Sequence, residues 1–456
     1  MAAIRSKFFL TVFFLFNLLL SSYYIDVWHN SNTTSRVLPV LSVVRDGTLQ
    51  IDKYSDKTID KSFVNGHYYS DKAPFPSFLV IPFYSVYYYL FNNQNDLSFE
   101  SIAKPVYIIG GILCGSIPFA IIILITFLYV HEEHTNYSVA MLSMLPIYGS
   151  FIFIFSGTFF SHVFSGALLL LAYVFLKYRK KYFLAGVFSG LGFVSELPIG
   201  LIVFIWTIQI YLNEKSFRNT WNFILGTLPS LLLLLFYNYK LTGNPTDILY
   251  NHIPVVDFPS ENFLGFRYPS ISALWKLIFS WYRGILFYMP ILILIIVQFF
   301  RFYQFHLKGL LKNYLFIIVI AYLLLISSHE IWDGGWSYGP RHLIPIAVLL
   351  IFEGIRFLSK KRMSFLFWLI SIPALLINWI AKSTCVFSVP SDFTNPFSEY
   401  ILPNFLSKKF NENNMLSTNF NLQPQTASYI WLITFIIALI VLAWWERKLK
   451  ISAYNT

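Results

Sequence analysis

Long apolar segments, separated by short polar connections, follow one another along the whole chain. Most of them approach the roughly 17 to 25 residues that an α-helix needs to cross a bilayer, and aromatic residues concentrate near many of their ends, as at a membrane interface. The segments lie near residues 8–25, 76–91, 105–130, 137–156, 158–176, 183–195, 199–212, 221–237, 285–300, 313–328, 343–357, 364–380 and 429–446. The pattern predicts an all-α polytopic membrane protein, one membrane domain over residues 1–456 with about 11 to 13 transmembrane helices.

The composition agrees with this prediction. Hydrophobic residues make up 56% of the chain and charged residues only 12%, whereas soluble domains carry about 25% charged residues. The net charge of +11 comes from short basic clusters at segment ends, a distribution that predicts no nucleic-acid partner. Cys114 and Cys385 have no zinc-type or redox-type spacing. Residues 1–22 have the outline of a signal peptide, but a retained first helix is favoured because later segments continue the pattern.

The basic clusters predict the orientation in the membrane. The positive-inside rule assigns them to the cytoplasm, which leaves several loops on the opposite face. The clusters lie at 177–181, 213–218, 301–312, 359–362 and 446–450, and the non-cytoplasmic loops at 26–75, 195–200, 238–284, 329–342 and 381–428. An odd number of crossings would separate the two termini, although both carry cytoplasmic-type charge. One segment is therefore expected not to cross, and the short, proline-initiated segment 76–91 is the candidate.

The first loop, 26–75, concentrates charge in a chain that has little. A solvated surface carboxylate is the default interpretation for any single aspartate there, but the group as a whole favours a catalytic loop. Its aspartates are Asp26, Asp46, Asp52, Asp56, Asp60 and Asp71. The densest phrase, NGHYYSDKAP at 65–74, adds His67, Tyr69 and Lys72 beside the membrane.

The loop at 329–342 is the second concentration of polar groups. It contains Asp333, Arg341 and His342 among tryptophans and glycines. Glycines allow a backbone to approach a ligand closely, and an arginine suits bidentate contact with a phosphate, although tryptophans at a membrane border are equally common as anchors. The phrase SWYRGILFYMP at 280–290 brings Arg283 to the same face.

Two ionisable residues lie within or beside apolar segments, where they are expected to face the bundle interior. His162 is interpreted more simply as a packed core histidine. Glu196, which lies at a helix break before Pro198, is equally compatible with a structural role and with a site role.

Six phrases occur in one order over residues 1 to about 355: GHYYSDKAP, SHVFSGALLLL, SELPIG, YNYKLTGNP, RGILFYMP and GGWSYGPRHLIP. In these phrases the chain resembles the GT-C glycosyltransferases, the polytopic class that includes dolichyl-phosphate-mannose protein mannosyltransferases and the bacterial aminoarabinose transferases of lipid A, and above all a bacterial branch of that class. The resemblance implies a GT-C-like bundle with a long first non-cytoplasmic loop in the cell membrane, the inner membrane in a bacterium. It implies transfer of a hexose or pentose from a polyprenyl-phosphate-linked donor to a glycan, lipid or protein acceptor at the outer face.

The class implies an aspartate of the first loop as general base and basic residues on the lipid phosphate, and it leaves open a divalent metal, Mg or Mn. Better-known members carry an adjacent Asp-Glu pair shortly after the first helix, but this chain reads NSNTTSR at 30–36, without an acid. The base is therefore predicted among Asp71, Asp60 and Asp52, with Asp71 ranked first. The predicted phosphate contacts are Lys72, Arg283 and Arg341, and the further site candidates are His67, Tyr69, Glu196, Asp333 and His342.

Two other functions stay open at the level of sequence. A lipid-linked glycan ligase or polymerase would use the same kind of lipid phosphate. A transporter, or flippase, of lipid-linked sugars would favour paired charges near the midplane and internal repeats, and the sequence shows little of either. The late loop at 381–428, rich in Asn, Ser and Pro, is a candidate for acceptor selection.

Overall fold

The computed structural model describes residues 7–27, 30–91, 98–131, 138–254, 265–302, 307–359, 365–385 and 387–454. Parts of the basic clusters at 301–312 and 359–362, and some residues of the loops 26–75, 238–284 and 381–428, lie outside these ranges.

Regular structure in these ranges is almost entirely helical. The helices are α1 (Lys7–Ser21), α2 (Ser31–Leu41), α3 (Phe75–Phe91), α4 (Phe99–Gly111), α5 (Ile117–His131), α6 (Val139–Tyr148), α7 (His162–Lys177), α8 (Tyr182–Phe193), α9 (Ile199–Glu214), α10 (Phe217–Thr242), α11 (Ile271–Phe279), α12 (Ile285–Tyr288), α13 (Ile291–Phe302), α14 (Leu307–Lys312), α15 (Phe316–Ser327), α16 (Ile344–Ser359), α17 (Phe365–Cys385), α18 (Leu402–Leu406), α19 (Met415–Phe420) and α20 (Pro424–Tyr454). Two strands, β1 (Lys61–Val64) and β2 (His67–Ser70), form an antiparallel hairpin.

Among the residues that the structure describes, five helices are long and apolar enough to cross a membrane. They are Phe99–His131, in which α4 and α5 continue through one π-helical turn, Phe217–Thr242, Arg341–Ser359, Phe365–Cys385 and Pro424–Leu449. Shorter apolar helices of 10–17 residues account for most of the other predicted segments. The predicted segment 285–300 is divided between α12 and α13. The prediction of an all-α polytopic membrane protein is confirmed.

Small residues let neighbouring helices approach closely. Where α8 crosses α10, a Cβ atom on Gly186 would collide with the carbonyl oxygen of Phe223, and one on Gly226 with that of Phe183. Helix association within a membrane depends on such close packing, because lipid tails are as apolar as the side chains. These contacts hold α8 against α10, and the turn that carries Glu196 follows α8.

The first loop folds into α2 and the hairpin, and it ends where α3 begins. The Asn30 side chain accepts a hydrogen bond from the backbone N–H of Asn32 (3.0 Å) and so caps α2. The hairpin turns at Asn65 and Gly66, which both have positive φ (52° and 87°), as a two-residue hairpin turn requires. Neither α2 nor the hairpin was predicted from the apolar pattern, because both are short and lie in a polar loop.

Helix α3 begins and ends against the first loop. It starts three residues after Lys72, and near its other end the guanidinium carbon of Arg45 lies 5.1 Å from the ring centre of Tyr88. The next helix also begins beside this loop, because the rings of Tyr54 and Phe99 are 5.9 Å apart. This arrangement favours the expectation that the segment at 76–91 does not cross the membrane.

Several helix ends meet the first loop at one end of the bundle. The backbone N–H of Phe75, at the start of α3, donates to the carbonyl of Val194 at the end of α8 (3.4 Å). The starts of α7 and α16 lie here as well, since the rings of His162 and His342 are 5.4 Å apart. The SELPIG turn, predicted at 195–200, joins α8 to α9 at this place.

Candidate active site

Lys72 lies between two carboxylates of the first loop. Its Nζ is 2.8 Å from Oδ2 of Asp60 and 2.8 Å from Oδ2 of Asp71. The hairpin explains this arrangement, because Lys61 pairs with Ser70 across the two strands. Asp60, one residue before β1, therefore lies across from Asp71, one residue after β2. Two of the three predicted bases and one predicted phosphate ligand thus form a single cluster.

The two carboxylates differ in their surroundings. The Asp71 side chain is 3% exposed and that of Asp60 is 26% exposed. Oδ1 of Asp71 accepts a hydrogen bond from the Ser35 hydroxyl (3.0 Å), which is itself 2.8 Å from the Ser70 hydroxyl. Oδ1 of Asp60 accepts no hydrogen bond from the described residues. Asp60 is therefore the carboxylate that a substrate can reach.

Burial and charge act in opposite directions on this pair. Burial raises the pKa of Asp71 above its ordinary value, although the Lys72 ammonium opposes the shift. Burial acts on Asp60 as well, but the charge and hydrogen bond of Lys72, helped by Arg341 and Arg36, hold the pKa of Asp60 below its ordinary value. At neutral pH Asp60 is consequently ionised, and its ionisation depends on Lys72.

Two arginines flank one aromatic ring next to this cluster. The guanidinium carbons of Arg36, on α2, and Arg341, just before α16, lie 5.9 and 5.2 Å from the ring centre of Phe160. Arg36 donates to Ser161 Oγ (2.8 Å) and to the carbonyl of Asn32 (3.0 Å). Within the described chain neither arginine forms an ion pair, and the Nε of each is buried without a hydrogen-bond partner. Two guanidinium groups without a carboxylate partner suit a bound anion.

Glu196 holds Arg36 in place through a neighbouring serine. Its Oε1 accepts a hydrogen bond from Ser161 Oγ (2.7 Å) and contacts Nδ1 of His162. Ser161 thereby links Glu196 to Arg36. The His342 ring lies 5.4 Å from that of His162 and 6.4 Å from that of His329. Glu196 and His162 are thus positioned to orient Arg36 rather than to meet a substrate.

Arg283 and Asp333 build the loop that carries Arg341. Arg283 is fully buried and donates to the carbonyls of Asp333 (2.9 Å), Tyr282 (2.9 Å) and Gly335 (2.8 Å). The Asp333 carboxylate accepts from the Tyr282 hydroxyl (2.7 Å) and the Gly335 N–H (3.0 Å). Because its guanidinium already serves three carbonyls, Arg283 is poorly placed for the phosphate contact predicted for it.

Gly334 leaves room for Arg341. Its φ is +76°, and a Cβ atom there would lie 2.9 Å from Nε of Arg341. We expect Gly334→Ala to displace the guanidinium and to weaken binding of an anionic ligand roughly tenfold. Gly335→Ala is the matched control, because Gly335 also has positive φ (60°) but open space at its Cβ position. Equal weakening by both substitutions, in a ligand-binding titration, would contradict this role of Gly334.

Two other predicted site residues, His67 and Tyr69, belong to the hairpin, and a third, Asp52, contacts it. Nδ1 of His67 lies 2.7 Å from Oδ2 of Asp52, and the N–H of Tyr68 donates to Oδ1 of Asp52 (2.6 Å). Both Asp52 and His67 are exposed. Tyr69 is buried in a small apolar cluster with Tyr237. These contacts join the hairpin to the rest of the loop and to α10.

The apolar and polar pattern missed Ser35, Arg36 and Tyr250. The first two come from the NSNTTSR phrase, which was noted only for its lack of an acid. Tyr250 lies in the 238–284 loop, and burial, with the charges of Asp71 and Asp60, raises the pKa of its phenol. Its hydroxyl therefore stays protonated near the carboxylate pair.

Among the described residues, no group of three or more His, Cys, Asp or Glu side chains is arranged to hold a metal ion. The cation between Asp60 and Asp71 is the ammonium of Lys72.

Comparison with known proteins gives a distant likeness among solved structures and none among family models or curated proteins. No protein-family model matches the sequence, and no curated protein matches it. Among solved structures, the chain is similar to the crystal structure of ArnT from Cupriavidus metallidurans bound to undecaprenyl phosphate. The two share 13% identity, the match covers 98% of this chain and 78% of that chain, and the TM-score is 0.47. A likeness at this level transfers no residue role and no substrate.

Proposed function

We propose that this membrane protein is a GT-C-type glycosyltransferase, which moves a sugar from a polyprenyl-phosphate donor to an acceptor at the non-cytoplasmic surface. One observation carries the proposal: Lys72 lies within 2.8 Å of both Asp60 and Asp71, next to two arginines that have no carboxylate partner. The site thus combines a candidate base with cations suited to a phosphate leaving group.

The donor phosphate binds to Lys72, Arg36 and Arg341 in this proposal. The three cations come from the end of the hairpin, from α2 and from the start of α16. A phosphate that leaves with the electron pair of its bond to the sugar gains negative charge, and fixed cations stabilise that charge as it develops. A proton donor to the leaving group is not required.

The acceptor attacks the anomeric carbon from the side opposite the phosphate. A bond forms between the acceptor oxygen and this carbon, the bond from the carbon to the phosphate oxygen breaks, and the acceptor's proton passes to a carboxylate. We assign the base to Asp60, because its Oδ1 is open and its side chain is the more exposed of the pair. Asp71, ranked first from the sequence, instead holds Lys72 and Ser35.

The position of the site favours sugar transfer from a lipid-linked donor over transport. The cluster lies where the first loop meets the helix ends, whereas transporters commonly bind substrates near the midplane. Close to this end, α11 exposes Ile271, Trp275 and Phe279, which suits contact with the membrane interface. A ligase or polymerase of lipid-linked glycans would use the same phosphate site and differs only in its acceptor.

Turnover of a labelled donor tests the proposal. Purified protein in nanodiscs is incubated with a panel of radiolabelled undecaprenyl-phosphate sugars and with membrane extract as the source of acceptors. Release or transfer of the sugar by the wild type, lost in Asp60→Asn, is the expected result. Donor binding without turnover across the whole panel would contradict a transferase and favour transport.

A further inference from the structure

The ammonium of Lys72 has two roles that compete with each other. It is the counter-ion of Asp60 and Asp71 in the structure, and under the proposed function it is also a ligand of the donor phosphate. An ammonium group has three donor protons, and two of them are directed at the carboxylates. In the donor this phosphate is a diester with one negative charge, and it becomes a dianion as its bond to the sugar breaks, so its attraction for the ammonium grows during transfer.

We propose that the donor phosphate competes with Asp60 and Asp71 for Lys72, so that the carboxylate pair becomes a base only after the donor has bound. This inference rests on the proposed function and adds a regulation of the same site. Before the donor binds, the positive charge of Lys72 neutralises the negative charge of the base.

The charges of the cluster explain how the movement of Lys72 toward the phosphate would activate the base. While Lys72 contacts both carboxylates, its charge opposes proton uptake by the pair. When the ammonium turns to the phosphate, two carboxylates remain close together without their shared cation. Like charges at short range favour uptake of one proton by the pair. That proton comes from the attacking acceptor, while the electron pair of the broken bond leaves with the phosphate.

The surrounding contacts allow Lys72 to change partners. Oδ1 of Asp71 keeps its hydrogen bond from Ser35 (3.0 Å) when the ammonium departs. Arg36 and Arg341 lack ion-pair partners within the described chain and are free to bind the phosphate first. Of the three cations, Lys72 is the one already paired with carboxylates. Its movement toward the phosphate therefore changes the charge around the base when the donor binds.

The test measures binding of farnesyl phosphate, which has no sugar and resembles the lipid phosphate that leaves during transfer, to the full-length protein in detergent. Farnesol controls for partition of the prenyl chain. We expect Asp60→Asn to bind farnesyl phosphate roughly tenfold more tightly than the wild type, because one competitor for Lys72 is removed. Asp56→Asn is the matched control, since Asp56 also pairs with a lysine but is 68% exposed. It should leave the affinity unchanged.

A second comparison separates competition from simple repulsion. If Asp60 acts through Lys72, the gain from Asp60→Asn disappears in a Lys72→Ala background. A gain in affinity that persists in the Lys72→Ala background would overturn the inference. So would the absence of any gain in both folded variants, Asp60→Asn and Asp71→Asn. If the wild type does not bind farnesyl phosphate, or if Lys72→Ala does not weaken binding, the phosphate site of the proposed function fails as well. Thermal unfolding of each variant confirms that it is folded.

Discussion

Replacement of Lys72 with methionine is expected to lower sugar transfer roughly a thousandfold, because the leaving phosphate loses a cation that acts in the transition state. Methionine keeps most of the length of the side chain and removes only its charge. The measurement is transfer of labelled sugar at saturating donor, with donor affinity determined separately.

Lys57→Met is the matched control for this substitution. Lys57 lies in the same loop and pairs with Asp56 at 3.0 Å, but both residues are exposed, and an exposed pair contributes little to stability. Lys72→Arg should retain part of the activity, since it keeps the positive charge. Near-normal transfer by a folded Lys72→Met variant would remove Lys72 from the mechanism.

Asp60→Asn is expected to lower transfer by a similar factor, on the order of a thousandfold, while donor binding is kept or strengthened. Asparagine has the shape of aspartate but cannot accept the acceptor's proton. The measurement is single-turnover transfer with prebound donor, which separates the chemical step from binding.

Asp52→Asn is the control for the base, because Asp52 is an exposed carboxylate of the same loop that pairs with His67. It should leave the rate of transfer within a few-fold of the wild type. Full activity in Asp60→Asn together with a large loss in Asp71→Asn would move the base to Asp71, the residue that the sequence ranked first.

The membrane helices were predictable because their signal is local. An apolar segment such as that of α10 must be helical in a bilayer, whatever its neighbours are, since its backbone groups have no other partners there. The Asp-Lys phrase at 71–72 was also recognisable, because charge is scarce elsewhere in the chain.

The pairing of Asp60 with Asp71 was harder to predict, although a signal was present. Asn65-Gly66 is a strong two-residue turn, and an antiparallel register around it places residue 60 opposite residue 71. The role of Arg36 depends instead on how α2 lies against the start of α7, which is a tertiary contact. Periodicity along one segment carries no information about such a contact.

Arg283 shows a different limit of sequence reasoning. An arginine at the start of a helix beside glycines is compatible with a phosphate ligand and with a residue that fixes a loop. The structure directs its guanidinium to three backbone carbonyls, and only the fold of the 329–342 loop makes this distinction.

The most direct test of the central claim is a cryo-EM map of the protein in nanodiscs with a bound polyprenyl phosphate. We expect density for the phosphate between Lys72, Arg36 and Arg341, with the Lys72 side chain turned away from Asp60. Phosphate density at another place on the protein, with Lys72 still held between Asp60 and Asp71, would contradict the account.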